Sequence, residues 1–545
     1  MPPAPDQSPF YITTPIYYVN DRPHIGHAYT TIVADCVARF MRASGRDVFF
    51  LTGTDEHAEK VVTSAAQRGL TPIEWADVNA AEFQKAFTEQ RLTHDDFIRT
   101  TQQRHTSKVQ AYIQNMLDSG DVYLGEYEGW YDPSQEEYVT ESEAKQHEYK
   151  SPVTGRDLEK RKEHNYFFRL SAYADRLAAH IAQHPEFVEP EARRNEVLGR
   201  LKTGLQDVPI SRRVREGDEA WGVLMPGDDQ HRVYVWIDAL FNYLSAVDTD
   251  DRRKYWPAQT HVIAKDILWF HAVIWPCMLM ALGKDLPGSV YTHAYWVREG
   301  RKMSKSLGNF LDGPTIRGYV EAFSLDAWRW YMLTRGPLGA TDADFVHANF
   351  VEVYNADLAN GIGNAASRVA NMIRKYFDGA CPENTPREGD REWSVIARAH
   401  VERASECMAK TDTAGALHAG LSLSNEVDAY VNETAPFKLA KDPANLPEVG
   451  GILYRCAEAL RIAAILVSPA LITKSSAMLR NFSQPLPDSA GRFLDDAGSV
   501  IPLHELCAWG RLEPGTPVVK GEALFPRADP KDDPPAPIED EDAPQ

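Results

Sequence analysis

No C-x-x-C pair occurs in this chain, although it carries six cysteines: Cys36, Cys277, Cys381, Cys407, Cys456 and Cys507. Thiols scattered this widely do not make a disulfide framework and fit a reducing compartment. Long hydrophobic runs are also lacking. The greasiest stretch, Ile267 to Leu282, is interrupted by His271 and Pro276 and is too short to span a bilayer, so it reads as a buried helix. The opening residues, Met1 to Asp6, form neither a basic-plus-apolar leader nor an Arg-rich amphipathic stretch. A cytoplasmic protein without a membrane partner is expected. Positive charge is in deficit, the formal net charge being −20. Part of that lies in a tail where Asp529, Asp532, Asp533, Glu539, Asp540, Glu541 and Asp542 fall among prolines. Any nucleic-acid partner must therefore meet local basic patches rather than a basic whole-molecule field.

What is present has an α/β character followed by a helical one. A chain of 545 residues is too long for one core. Tyr11-Ile12, a helix with apolar residues Ile32, Val33, Cys36, Val37, Phe40 and Met41, and then Val48 to Leu51 predict a strand-helix-strand unit. The predicted divisions are 1–117 (first half of a Rossmann-like parallel-sheet domain), 118–224 (an insertion of short strands and turns) and 225–297 (second half). In that second half strands are expected at Val233 to Trp236, His261 to Ile263 and Ser289 to Val297. A loop region, 298–350, precedes an all-α antiparallel bundle over 351–510, with helices expected at Val351–Phe377, Glu392–Thr411, Ala414–Asn432 and Val449–Val467. A return segment, 511–527, leads to a Pro-rich acidic tail, 528–545, whose composition buries too little apolar surface to fold.

Two short motifs carry the chemistry. His24-Ile25-Gly26-His27 opens the first helix, where helix-start N–H groups and the helix dipole favour an anion and Gly26 lets a flat base approach the backbone. Lys302-Met303-Ser304-Lys305-Ser306 sets two ammonium groups on a loop after a turn at Glu299-Gly300, with Gly308 just beyond. The second string is rare by chance, and the two in this order are a strong signal for triphosphate handling. A third group converges by spacing. Trp236, Ala239 and Tyr243 share one helical face, Ile267 and Ηis271 are four apart on another, and Ile16, Tyr18 and Asp55 end the first two strands. An indole, a phenol and an imidazole around a slot suit a polarizable thioether, and Asp55 suits an α-ammonium.

Together these residues resemble the HIGH and KMSKS signatures of class I aminoacyl-tRNA synthetases, and the slot is similar to that of methionyl-tRNA synthetases over nearly the whole chain. The resemblance implies ATP-dependent activation of L-methionine to methionyl-adenylate and its transfer to the 3′ end of tRNA(Met), for initiation and elongation. His24, His27, Lys302 and Lys305 are the implied catalytic residues. ATP is implied to meet His24, Gly26, His27, Asp266 (on the ribose), Lys302, Ser304 and Lys305, with Mg²⁺ bridging its phosphates. Methionine is implied to meet Ile16, Tyr18, Asp55, Trp236, Ala239, Tyr243, Ile267 and His271. The bundle is implied to read the anticodon through Asn364, Arg368 and Phe437, the last standing where an aromatic, usually Trp, stacks on a base. Many relatives hold zinc in the insertion on two C-x-x-C pairs. Here Asp132, Gln135, Ser151 and Thr154 take those places and are poor zinc ligands, so no zinc is expected. A monomer is expected. A small nucleotidylyltransferase would not need the bundle or the slot, and a non-catalytic tRNA-binding protein would be expected to lose motif residues that are intact here.

Overall fold

The computed structural model describes residues 8–19, 22–133, 137–139, 141–214, 221–298, 300–303 and 309–539. β1 (Phe10–Tyr18), rich in aromatic and β-branched residues, leads into α1 (Ile25–Ala43), which returns to β2 (Val48–Asp55). Every residue of β2 is buried, the pattern of a central parallel strand covered on both faces. α2 (Pro72–Glu89), capped by Thr71 and Glu74, precedes β3 (Asp96–Arg99) and α3 (Gln103–Asp118). The sheet is completed by β4 (Val188–Glu189), β5 (Thr260–Ala264) and β6 (Ser289–His293), all parallel, in the order β3-β2-β1-β5-β6-β4. Strand order reverses between β1 and β5, so a crevice opens at the carboxyl ends of these two strands, where such sheets take ligands.

Two local features aim residues at that crevice. The β1–β2 register shifts between Thr13 and Ile16, where Pro15 has no N–H to give to the ladder. Beyond the shift Ile16 stands opposite Gly53 and Tyr18 opposite Asp55. Gly53 is obligatory here, since a Cβ would lie 1.9 Å from the Ile98 carbonyl oxygen of β3.

The structure departs from the expected divisions in three places. The 118–224 stretch is not one insertion: Val122–Asp132 and Glu159–Phe168 form a long antiparallel hairpin, but β4 lies within the stretch and pairs with β6 at the sheet edge. A two-residue strand leaves no period for a sequence reading to find. Val233 to Trp236 is not a strand of the parallel sheet either. Asp228–Val233 pairs antiparallel with Ser211–Arg213 and Leu224–Met225 in a small separate sheet, and α4 (Val235–Leu240) then α5 (Asn242–Ser245) begin at once. The third departure is the tail. Of residues 528–545, those to 539 run from Asn355 to α6 (Gly313–Phe323). The Ala528 N–H donates to Asn355 Oδ1 (3.1 Å), the Ile538 N–H to the Pro314 carbonyl (3.0 Å), and Arg317 Nε to the Ile538 carbonyl (2.9 Å). The segment builds no core of its own; its backbone pairs with a neighbour instead.

α7 (Leu325–Arg335) carries buried Arg329, whose Nη2 donates to Asp35 of α1 (2.6 Å) and to the Pro469 carbonyl (2.9 Å), tying the sheet domain to the helices beyond. The expected Val351–Phe377 helix is interrupted by a π-helical stretch, Tyr354–Ile362, before α8 (Gly363–Tyr376). α9 (Trp393–Ala409), α10 (Thr413–Thr434) and, after a short unexpected α11 (Pro436–Leu439), α12 (Leu446–Val467) lie close to the expected helices. Among the described residues no helix is long and apolar enough to cross a membrane.

Candidate active site

His24 is the N-cap of α1, a place usually held by a side-chain oxygen. Here the ring does that work: the Gly26 N–H donates to His24 Nδ1 (3.0 Å), and the His24 N–H donates to His27 Nδ1 (3.3 Å). The two rings stack 3.8 Å apart. With both Nδ1 atoms accepting, a neutral ring carries its proton on Nε2, so each imidazole presents an Nε2–H donor. Burial among Tyr17 and Phe83, with His24 alongside, pushes the pKa of His27 well below its ordinary value, so it is neutral at pH 7. Gly26 serves the His24 ring first, because a Cβ there would lie 2.9 Å from His24 Cε1. One N–H of the expected backbone anion site is thus spent inside the protein, on the His24 ring.

The segment that follows the second motif, Phe310 to Asp312, meets the start of α1. The Ile25 N–H donates to the Leu311 carbonyl (3.0 Å), His24 bridges to Asp312, and Phe310 meets the His24 ring edge-on at 4.9 Å. Lys302 is exposed on a hairpin, Trp296–Arg298 with Arg301–Lys302, that turns at Gly300 (φ 69°), and its carbonyl accepts from Asn309 Nδ2 (3.3 Å). Ser304 and Lys305 lie outside the described residues. Asp266 is exposed at the carboxyl end of β5, and burial together with its charge pushes the Tyr295 phenol up.

Several of the predicted slot residues share one core. Ile16, Tyr18, Trp236 and Ile267 pack against the core that buries Tyr243. Tyr18 meets Trp236 edge-on at 6.2 Å, and Phe270, which the sequence reading passed over, lies 4.4 Å from Trp236. Ala239 stands one turn after Trp236 on α4. His271 sits in a π-helical turn, Phe270–Ile274, just before Pro276, which has no N–H to continue an α-helical ladder. The Tyr243 Oη–His271 Nε2 separation is 2.7 Å, and the His271 Nδ1–H donates to the Ile267 carbonyl (2.9 Å). Burial, opposed by that backbone bond, brings His271 down to about 4, so the ring is neutral. Asp55, buried, ends β2 beside Tyr18.

A further buried group was not legible beforehand. Asp238, on α4 between Trp236 and Ala239, lies with Oδ2 2.7 Å from His57 Nδ1 and Oδ1 2.9 Å from His105 Nε2. A carboxylate inside the apolar run Trp236 to Leu240 was the available signal.

At the positions read as poor zinc ligands, the turn closes on itself, Ser151 Oγ accepting from Val153 N–H (3.3 Å) and Thr154 N–H (3.1 Å). Asp132 is buried and Gln135 lies outside the described residues. Among the described residues no group of three His, Cys, Asp or Glu side chains could hold a metal ion. In the bundle, Asn364 and Arg368 lie a turn apart on α8. Arg368 pairs with Asp428 and donates to Asn432 Oδ1 (3.0 Å) near the end of α10. Phe437, on α11 just beyond, is 42% exposed, unlike a core residue.

The sheet, the histidine-capped helix and the lysine hairpin tied to it are those of a class I aminoacyl-tRNA synthetase. The family model described as "tRNA synthetases class I (M)" matches residues 10–370. The methionine–tRNA ligase of Caldanaerobacter subterraneus is 40% identical over 95% of this chain and 79% of its own length. That of Streptomyces coelicolor is 41% identical over 96% and 97%. The structure of Mycobacterium tuberculosis methionyl-tRNA synthetase in complex with methionyl-adenylate is similar with a TM-score of 0.84 at 35% identity, over 95% of this chain and all of that one. The chain belongs to the methionyl-tRNA synthetase family.

Proposed function

We propose a division of labour among these residues for the reaction of the family, the ATP-dependent joining of methionine to tRNA. The methionine carboxylate, already ionised, attacks the α-phosphorus of ATP and pyrophosphate leaves; the 3′-terminal ribose hydroxyl of tRNA(Met) then takes the methionyl group from the adenylate. No enzyme nucleophile is needed, so rate comes from alignment and from stabilising charge on the phosphates. His24 and His27 give their Nε2–H donors to phosphate oxygens, while Lys302 and Lys305 neutralise the departing pyrophosphate. Asp266 holds the ribose, with Gly26 and Ser304 along the nucleotide. Mg²⁺ would be held by the ATP phosphates and would supply further charge neutralisation there.

Asp55 pairs with the α-ammonium of methionine. Ile16, Tyr18, Trp236, Ala239, Tyr243, Ile267 and His271 form the wall of the thioether slot. Both nitrogens of His271 are engaged within the protein, so the slot offers a neutral, polarizable lining and no charge for the ligand to match. At the far end Asn364 and Arg368 hydrogen-bond anticodon bases and Phe437 stacks on one. A cytoplasmic monomer serving initiation and elongation completes the reading.

The observation that supports it most is the hydrogen bond from Ile25, inside the first motif, to the carbonyl of Leu311, which follows the second motif in the chain. Its test is methionine-dependent ATP–pyrophosphate exchange. Lys305→Ala should lower exchange at least about tenfold, and up to about a thousandfold if the contact is made mainly in the transition state. Near-normal exchange would remove Lys305 from this role.

A further inference from the structure

The buried cluster around Asp238 joins the two ends of the amino-acid slot. A carboxylate only accepts hydrogen bonds, so His57 Nδ1 and His105 Nε2, at 2.7 and 2.9 Å, must both carry hydrogen toward it. His57 is the second residue after Asp55, at the ammonium end. His105, on α3, reaches on through Nδ1 to Ser245 Oγ (2.8 Å) on α5, two residues after Tyr243. Asp238 itself lies between Trp236 and Ala239. One side chain thus spans strand end, α3 and the aromatic wall.

The Asp55–His57 segment is held from its other side as well. Glu56 is buried and accepts from Arg99 Nε (2.6 Å) and Nη2 (3.1 Å) and from Thr54 Oγ1 (2.7 Å). Trp221 Nε1 donates to the Glu56 carbonyl (2.7 Å), and its ring meets His57 edge-on at 5.5 Å. None of these groups has a part in moving phosphate. All of them hold the two residues that follow Asp55.

We infer that Asp238 is a positioning residue for amino-acid selection, which sets the distance between the ammonium-binding carboxylate and the thioether wall through His57 and His105. The inference rests on the slot assignment above. Asp238→Asn would turn an amide N–H₂ toward one of two imidazole N–H groups, a donor facing a donor, and would loosen one link of the clamp while keeping its shape. His57→Asn removes only the link to the strand end.

The test is ATP–pyrophosphate exchange with the full-length protein, in which the methionine and ATP dependences are measured separately and folding is followed by thermal unfolding. Both variants should raise KM for methionine at least about fivefold, leave KM for ATP within about twofold, and lose discrimination against shorter or longer thioether amino acids. A folded variant whose methionine KM is unchanged would overturn the inference, as would equal rises in both KM values. Loss of folded protein in both variants would assign the cluster to folding and also overturn it. Failure of the slot assignment is seen separately, as a parent protein whose exchange does not depend on methionine.

Discussion

Tyr243 Oη and His271 Nε2, 2.7 Å apart in the core of the slot, settle each other's protons. Because His271 Nδ1–H is given to the Ile267 carbonyl, Nε2 is left to accept, and the phenol donates. Tyr243→Phe keeps the ring and removes that donor, leaving a buried nitrogen without its partner at a cost of about 1–3 kcal/mol. KM for methionine should rise roughly fivefold or more, while KM for ATP stays constant. Steady-state exchange kinetics check this; an unchanged methionine KM would show that the pair does not shape the slot.

The same ring dictates a pH dependence. Burial takes His271 from an ordinary 6.5 to about 4 in the folded chain. Between these values the unfolded chain binds a proton that the folded chain refuses, so stability falls as the solution is acidified from neutral towards pH 4. From this residue alone the loss between pH 7.5 and 5 should be about 2 kcal/mol. His27 and His261, both lowered by burial, act in the same direction. Denaturant unfolding of the parent and of His271→Leu across that range measures the term as a difference of slopes; parallel curves would contradict it.

Phe437 offers a separation of functions. Its exposed ring on α11 is far along the chain from the nucleotide residues, and base stacking on an aromatic is worth about 1–3 kcal/mol. Phe437→Ala should raise KM for tRNA by roughly fivefold or more in aminoacylation and leave ATP–pyrophosphate exchange intact. Equal damage to both assays would give the ring a folding role instead.

Much of this was readable from residues whose constraint is local. α10 was legible because Asp412 caps it and a continuous apolar pattern fills it, and the hairpin ahead of Lys302 because Gly300 supplies the positive φ of its turn. What escaped depends on distant partners. β4 is two residues long and exists as a strand only because β6 is there to pair with it. The run Val233 to Trp236 has strand-forming residues, yet the chain turns into α4 where Tyr234 gives its N–H to Ile210, just ahead of the small sheet. Asp238 was not singled out, because the residues that pair with it, His57 and His105, are 181 and 133 positions away. The tail was read by its own composition, which says nothing of the Pro314 and Asn355 groups that receive it.

The central claim is that the slot holding Trp236, Tyr243 and His271 selects methionine for the phosphate site of His24 and His27. ATP–pyrophosphate exchange run with each of the twenty amino acids in turn tests it most directly. Exchange should be driven by methionine, with every other amino acid at least about a hundredfold less effective in kcat/KM. Exchange driven best by a different amino acid, or by none, would contradict the account.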